Sequence, residues 1–289
     1  MRGNGVFTTV NGRLSIFLTR HKRQRAFVKH SLILIFCSIL SANSSASDLD
    51  REKRLADNIR DSIIVGELVS LQTNDGEFIS LINNEEPDKP RGSVIILHGM
   101  GSNPNAPDVI YPLRSQLAKL GWVTAAIQLP VLATGASIDE YLKLIPSSES
   151  RIQASLDYMR ENFKNRPCIL VAHSLGAMMA INFMAKQKKL ACDALVLIGL
   201  PTLPSDLPEA QSLELMKAIK TPTLDIFGSQ DLDSVKGMAA TRKLTLIKNN
   251  PLNRQVEISG ANHNFNGLGE TLVRSIHGWL MHSFKLPEN

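Results

Sequence analysis

Short strand-like runs, of which Ser93-Val94-Ile95-Ile96-Leu97 is the continuous apolar type, recur along the chain at 93–97, 123–127, 168–172, 194–198, 223–227 and 255–258. Runs of this length suit strands buried on both faces of a parallel sheet. Helical patterns near 109–120, 150–165, 175–189, 208–219, 235–247 and 267–284 lie between and after them. Two further strand-like segments, 63–71 and 77–81, come first, joined by Thr73-Asn74-Asp75-Gly76. An Asp-Gly pair in such a position is a strong hairpin signal. A leading antiparallel hairpin followed by alternating strands and helices predicts an α/β fold: a mostly parallel central sheet with helices on both faces. The most loop-like stretch inside it is 201–208, and 129–149 is a candidate to overhang the carboxyl end of the sheet.

Ahead of this pattern the chain reads differently. A basic stretch, Arg20-His21-Lys22-Arg23-Gln24-Arg25, precedes an apolar run over 31–40, and small residues Ser44-Ser45-Ala46 close it. That order is that of a secretory signal peptide. The run of about 10 residues is half the roughly 20 needed to span a bilayer. A buried N-terminal helix is the alternative, and a lipid anchor on Cys37 is disfavoured by the bulky Phe36 before it. The chain is thus divided into a leader over 1–46, a linker over 47–60, polar enough for a short helix too, and a domain over 61–289. A chain of 289 residues, 43% of them apolar, is long and apolar enough for one large α/β domain with a real core.

Charge follows the same division. The net charge is +5, but residues 1–46 hold seven Lys or Arg and no acid, leaving 25 basic residues against 27 acidic ones in the remainder. The basic footprint of a nucleic-acid-binding domain is therefore missing from the domain. After the leader only Cys168 and Cys192 remain. An oxidising compartment allows a disulfide between them, and two buried thiols are the other reading. No Cys/His cluster has metal-ligand spacing, and neither metal nor cofactor is expected.

Four segments at predicted strand ends carry chemistry. Ala172-His173-Ser174-Leu175-Gly176 joins a buried strand to a helix through a serine, the context a nucleophile elbow requires. The tight turn needs small residues two before and two after the serine. Ala172 stands where Gly is usual, a mild departure. The turn lifts the Ser174 hydroxyl to the end of the sheet and aims the Leu175 N–H at a developing oxyanion. Leu97-His98-Gly99-Met100-Gly101 follows another strand, with Met100 the candidate for a second backbone donor and His98 a structural residue. Gly228-Ser229-Gln230-Asp231 supplies a carboxylate to orient a base, with Asp233 its rival and Asp225 too deep in the strand. Ser259-Gly260-Ala261-Asn262-His263 puts a histidine on the loop after the last strand, a general base within reach of Ser174. His277 and His282, on the terminal helical pattern, read as surface residues.

These four elements, in the chain order Ser, Asp, His, resemble the α/β-hydrolase superfamily, and more narrowly a family of uncharacterised exported bacterial proteins of that fold. The resemblance spans about 60–285. It implies Ser174 as nucleophile, Asp231 and His263 as its partners, and Met100 and Leu175 as oxyanion donors. The expected protein is an exported, periplasmic serine hydrolase that acts on a small-molecule acyl ester. Met100, Leu132 and Leu175 suggest an apolar acyl group. Two alternatives stand: a non-catalytic envelope protein on the same fold, or an amide or peptide hydrolase.

Overall fold

The computed structural model describes residues 47–85, 90–163 and 167–287. The leader expected over 1–46 lies outside them. Along the chain run α1 (Leu49–Ser62), β1 (Glu67–Thr73), β2 (Gly76–Asn83), β3 (Gly92–Leu97), α2 (Ile110–Lys119), β4 (Trp122–Ile127), α3 (Ile138–Leu142), α4 (Glu149–Phe163), β5 (Cys168–His173) and α5 (Leu175–Lys186). They continue with β6 (Ala194–Ile198), α6 (Ser212–Ala218), β7 (Thr223–Gln230), α7 (Asp233–Lys236), α8 (Ala239–Asn249), β8 (Arg254–Asn262) and α9 (Gly269–Phe284). Among the described residues no helix is long and apolar enough to cross a membrane.

The strands form an eight-stranded sheet in the order β1-β2-β4-β3-β5-β6-β7-β8. β1 pairs with β2, and β2 with β4, in antiparallel fashion; the remaining pairs are parallel. This is the fold class expected from the pattern. The strands β3 to β7 read as apolar runs because each is buried on both faces, whereas β8, expected over 255–258 to be buried, is an edge strand in which only Ile258 and Ala261 are buried. Ile95, Leu97, Leu170, Leu195 and Leu197 point to the face covered by α4, α5 and α6. Val94, Ile96, Ile169, Val171, Val196 and Ile198 point to the face covered by α2 and α9. Successive side chains of a strand face opposite ways, so both cores draw on the same run.

Three local differences from the sequence pattern matter. The polar segment left between linker and helix is α1, with Asp48 capping its first turn through a bond from Arg51 N–H at 2.8 Å. Its apolar side joins the core through Ile59, and Glu52 is buried in an ion pair with Arg151 of α4 at 2.8 Å. At the hairpin, Thr73 pairs with Gly76, so Asn74-Asp75 form the turn and the positive φ of 124° falls on Gly76 just after it. β7 and β8 run on past their apolar cores to Gln230 and Asn262. Periodicity missed these extensions because they are polar and part-exposed, and they pair across a register shift between Gly228 and Gln230.

Cys168 and Cys192 are free thiols buried side by side, with Sγ atoms 2.6 Å apart. Burial and the Cys168 thiol push the Cys192 thiol well up, so it stays protonated and a poor nucleophile.

A second buried ion pair ties α8 to the sheet. Arg242 Nε donates to Asp225 Oδ2 at 2.8 Å, both side chains being wholly enclosed, and Gln255 donates to the same oxygen at 2.8 Å. Removing one partner strands the other charge in a low-dielectric interior, at a cost of about 3–5 kcal/mol. Arg242→Ala is therefore expected to lose about that much stability in urea denaturation; a loss below about 1 kcal/mol would show that Asp225 is solvated by other means.

Candidate active site

The centre of the site is the turn between β5 and α5. Ser174 has φ 56° and ψ −123°, a left-handed-side conformation that costs a non-glycine residue on the order of 1–3 kcal/mol. The turn is held by Ser174 N–H donating to Ile198 O at 2.9 Å and by Ala177 N–H donating to Ser174 O at 2.9 Å. The need for small flanking residues is visible in space. A Cβ at Gly176 would meet His98 O at 2.4 Å, so α5 starts against the loop after β3. Ala172 is fully buried, aligned between Leu97 and Leu197 of the neighbouring strands.

Asp231 and His263 stand immediately past the ends of β7 and β8, and both reach this serine. His263 Nε2 lies 2.8 Å from Ser174 Oγ, and His263 Nδ1 lies 2.6 Å from Asp231 Oδ1. With Asp231 ionised, Nδ1 carries the proton and Nε2 accepts from the serine hydroxyl. Burial pushes the Asp231 carboxyl up, but donation from His263, Leu232 N–H and Gly228 N–H outweighs it and holds the group below its ordinary range. The loop carrying His263 is fixed from both sides. Asn262 Oδ1 accepts from the amides of Asn264 and Asn266, each at 3.2 Å, and Phe265 is fully buried with φ 53°.

Two residues that the motifs did not single out shape this arrangement. Gly199 follows β6 with φ 56°, and a Cβ there would sit 3.1 Å from the His263 ring and 3.3 Å from Asp231 Oδ2. His173, beside the serine, bonds through Nε2 to the His263 carbonyl oxygen at 2.9 Å, bracing the loop. A lone Gly after a strand carries no distinguishing pattern, and in the sequence His173 stands out only as part of the elbow.

The loop after β3 borders the serine. A Cβ at Gly99 would lie 3.2 Å from Ser174 Cβ, so Gly99 packs against the serine, and Met100 lines the same cleft. His98 is buried and turned away. Its Nδ1 donates to Gly99 O at 2.8 Å and its Nε2 accepts from Leu129 N–H at 3.0 Å. Leu175, the first residue of α5, is buried with its amide at the helix N-terminus, where unpaired N–H groups favour negative charge.

The remaining candidates fall elsewhere. Asp233 is exposed at the start of α7, and Asp225 is committed to Arg242. His282 is exposed. His277 is only partly at the surface: it is half-buried and its Nδ1 accepts from Trp122 Nε1 at 3.1 Å, because α9 packs its start and middle onto the sheet. A cleft of about 750 Å³ opens over Ser174 and His263, lined by Met100, Val109, Ile138, Leu175, Met178, Pro201, Leu203 and Leu232. Of the segment 129–149 only Ile138 reaches it. Leu132 does not: it packs against the core below. Asp108 is the one carboxylate on the lining and no Lys or Arg is there. Among the described residues no group of His, Cys, Asp or Glu could hold a metal ion.

A mostly parallel sheet with an antiparallel start, and a serine on a strained strand–helix turn at its carboxyl edge, define the α/β-hydrolase fold. Within that class the chain belongs to the family described as "Protein of unknown function (DUF3530)", whose model matches residues 41–149 and 139–282. Solved structures agree on the fold. A dienelactone hydrolase from Anabaena variabilis ATCC 29413 is 22% identical with a TM-score of 0.59, over 75% of this chain and 96% of that one. Est1E from Butyrivibrio proteoclasticus is 15% identical with a TM-score of 0.58, over 76% and 99%. A serine hydrolase without a lid, XC6422 from Xanthomonas campestris, is 17% identical with a TM-score of 0.57, over 79% and 98%. At these identities the likeness establishes fold and not activity. A comparison with curated proteins returned no match.

The site has a pH signature. Burial lowers both His98 and His173 from 6.5 to about 4; at His98 the charges of Arg151 and Arg51 add to it, and at both rings the bond to a backbone carbonyl opposes it. Both rings are neutral in the folded protein. A depressed folded pKa contributes stability in full above 6.5, and the contribution is lost as pH falls towards 4. The shifts correspond to on the order of 3 kcal/mol for each ring, and Asp231 acts in the same direction at lower pH. Imidazole resonances of both residues are expected to stay unmoved to pH 5 in an NMR titration; midpoints near 6.5 would contradict the burial argument.

Proposed function

We propose that the chain is an exported serine hydrolase that cleaves carboxylic esters through an acyl-enzyme on Ser174. The observation that carries the reading is the continuous relay from Ser174 Oγ through His263 to Asp231, with separations of 2.8 and 2.6 Å. Ser174 Oγ attacks the ester carbonyl carbon while His263 Nε2 takes its proton. The buried Asp231 carboxylate stabilises the imidazolium, and the Leu175 and Met100 amides receive the oxyanion. His263 then protonates the departing alkoxide as the tetrahedral species collapses. Water, deprotonated by the same imidazole, attacks the acyl group and frees the acid. No step requires a cofactor.

The cleft supports a neutral acyl substrate. Its lining is mostly apolar, and with no Lys or Arg along it an anionic acyl group gains no counter-charge. Neutral tautomers of His98 and His173 leave His263 as the imidazole free to exchange a proton with the serine. Several structurally similar proteins carry the printed names esterase or hydrolase, which favours ester chemistry over a non-catalytic role.

Mass spectrometry after exposure to a fluorophosphonate probe is expected to find one adduct, on Ser174. Ser174→Ala and His263→Ala should each lower turnover of a p-nitrophenyl ester by about 10⁴-fold or more with the fold retained. Well-folded protein that takes no adduct would favour a binding or accessory role, and faster cleavage of a matched amide would favour an amidase. Export rests on the leader: chain recovered from cells is expected to begin near residue 47, and cytoplasmic protein retaining Met1 would overturn it.

A further inference from the structure

The N-terminal helix reaches into the oxyanion loop. Asp48, Arg51 and Glu52 lie on one face of the first turn of α1, at spacings of three and four residues. Arg51 Nη2 donates to Gly101 O at 2.8 Å. Its Nη1 donates to Leu132 O and lies 3.4 Å from the Tyr141 hydroxyl. Gly101 has φ 64°, and a Cβ there would meet Tyr141 Oη at 3.3 Å and Arg51 Nη2 at 3.4 Å. The loop after β3 is thus folded tightly against the guanidinium. The peptide between Gly99 and Met100 is fixed at its other side by His98 Nδ1 on Gly99 O.

The helix is itself anchored to the segment after β4. Asp48 N–H donates to Val131 O at 2.7 Å, Glu52 Oε1 accepts from Val131 N–H at 3.2 Å, and Arg151 bonds both Glu52 and Gln128 O. The Arg51 fork therefore spans two backbone segments that are held by independent bonds.

We infer that Arg51 is a positioning residue that holds the oxyanion loop, through Gly101, in the conformation that presents the Met100 amide to the transition state. The inference rests on the hydrolase reading above. Oxyanion donors act only when they are preorganised at hydrogen-bond distance from the developing charge, and displacement by about 1 Å can cost on the order of 10²-fold in rate. A planar fork with two carbonyl partners holds such a loop; an ammonium cannot bridge both in the same geometry. Since ground-state ester binding uses the apolar cleft and not this carbonyl, the loss appears in kcat and not in KM.

The test compares wild type, Arg51→Met and Arg51→Lys in p-nitrophenyl ester turnover, in the rate of fluorophosphonate addition to Ser174, and in affinity for an alkyl boronic acid as tetrahedral mimic. Arg51→Met is expected to lower kcat, phosphonylation rate and boronate affinity together, by roughly ten- to a hundredfold, with KM within about threefold, and Arg51→Lys to lie between. Parallel changes in KM and thermal stability without the boronate effect would mark Arg51 as merely structural and overturn the inference. So would unchanged rates in either folded variant. Should Arg51→Met fail to fold, Arg51→Lys alone decides between these outcomes. Wild type that takes no phosphonate at all removes the hydrolase reading, and this inference with it.

Discussion

The tight junction at Ser174 organises the rest of the molecule. Only Ser174 separates the end of β5 from the start of α5, and Gly176 packs directly on His98 O. The chain can turn that sharply only with a positive φ at the serine. Backbone strain of this kind persists when surrounding structure over-determines it. Here the surroundings are the six parallel strands β3 to β8, of which β3 to β7 are buried on both faces. Ser174, Gly199, Asp231 and His263 each stand one residue past the end of β5, β6, β7 and β8. The strand ends thus become the four corners of the site.

Around that junction the electrostatics are sparse and directed. Asp231 is buried, held ionised by three donors, and faces one imidazole. His98 and His173 are kept neutral by burial; His98 bonds backbone through both ring nitrogens and His173 through Nε2. Each braces a loop: His98 the turn that carries Met100, His173 the turn that carries His263. Neutral buried rings serve this purpose because they satisfy carbonyl and amide groups without adding a competing charge.

The N-terminal helix extends the same logic outward. Its buried Glu52 and its Arg51 fork connect the segment after β4, the start of α4 and the loop after β3. A polar stretch outside the strand–helix alternation is in this way coupled to backbone at the centre of the cleft.

Much of this was determined by the sequence alone. Short apolar runs such as 93–97 and 194–198, alternating with helical patterns, suit burial on both faces of a parallel sheet, so the sheet and its helices were legible. So was the set of strand-end motifs, because a serine between small residues and a histidine past the last strand are local patterns. What the tertiary structure decided was everything that depends on distant segments. It placed Asp231, rather than Asp225 or Asp233, against His263, because β7 runs polar to Gln230 and Asp225 is neutralised by an arginine from α8. It turned residues 49–62 into a docked helix through a carboxylate whose partner is 99 residues away. It kept Leu132 out of the cleft and tied His277 to Trp122. Periodicity reports which face of an element is buried. It carries no information on which remote backbone carbonyl or charge will meet a polar side chain there, and those meetings shape the site.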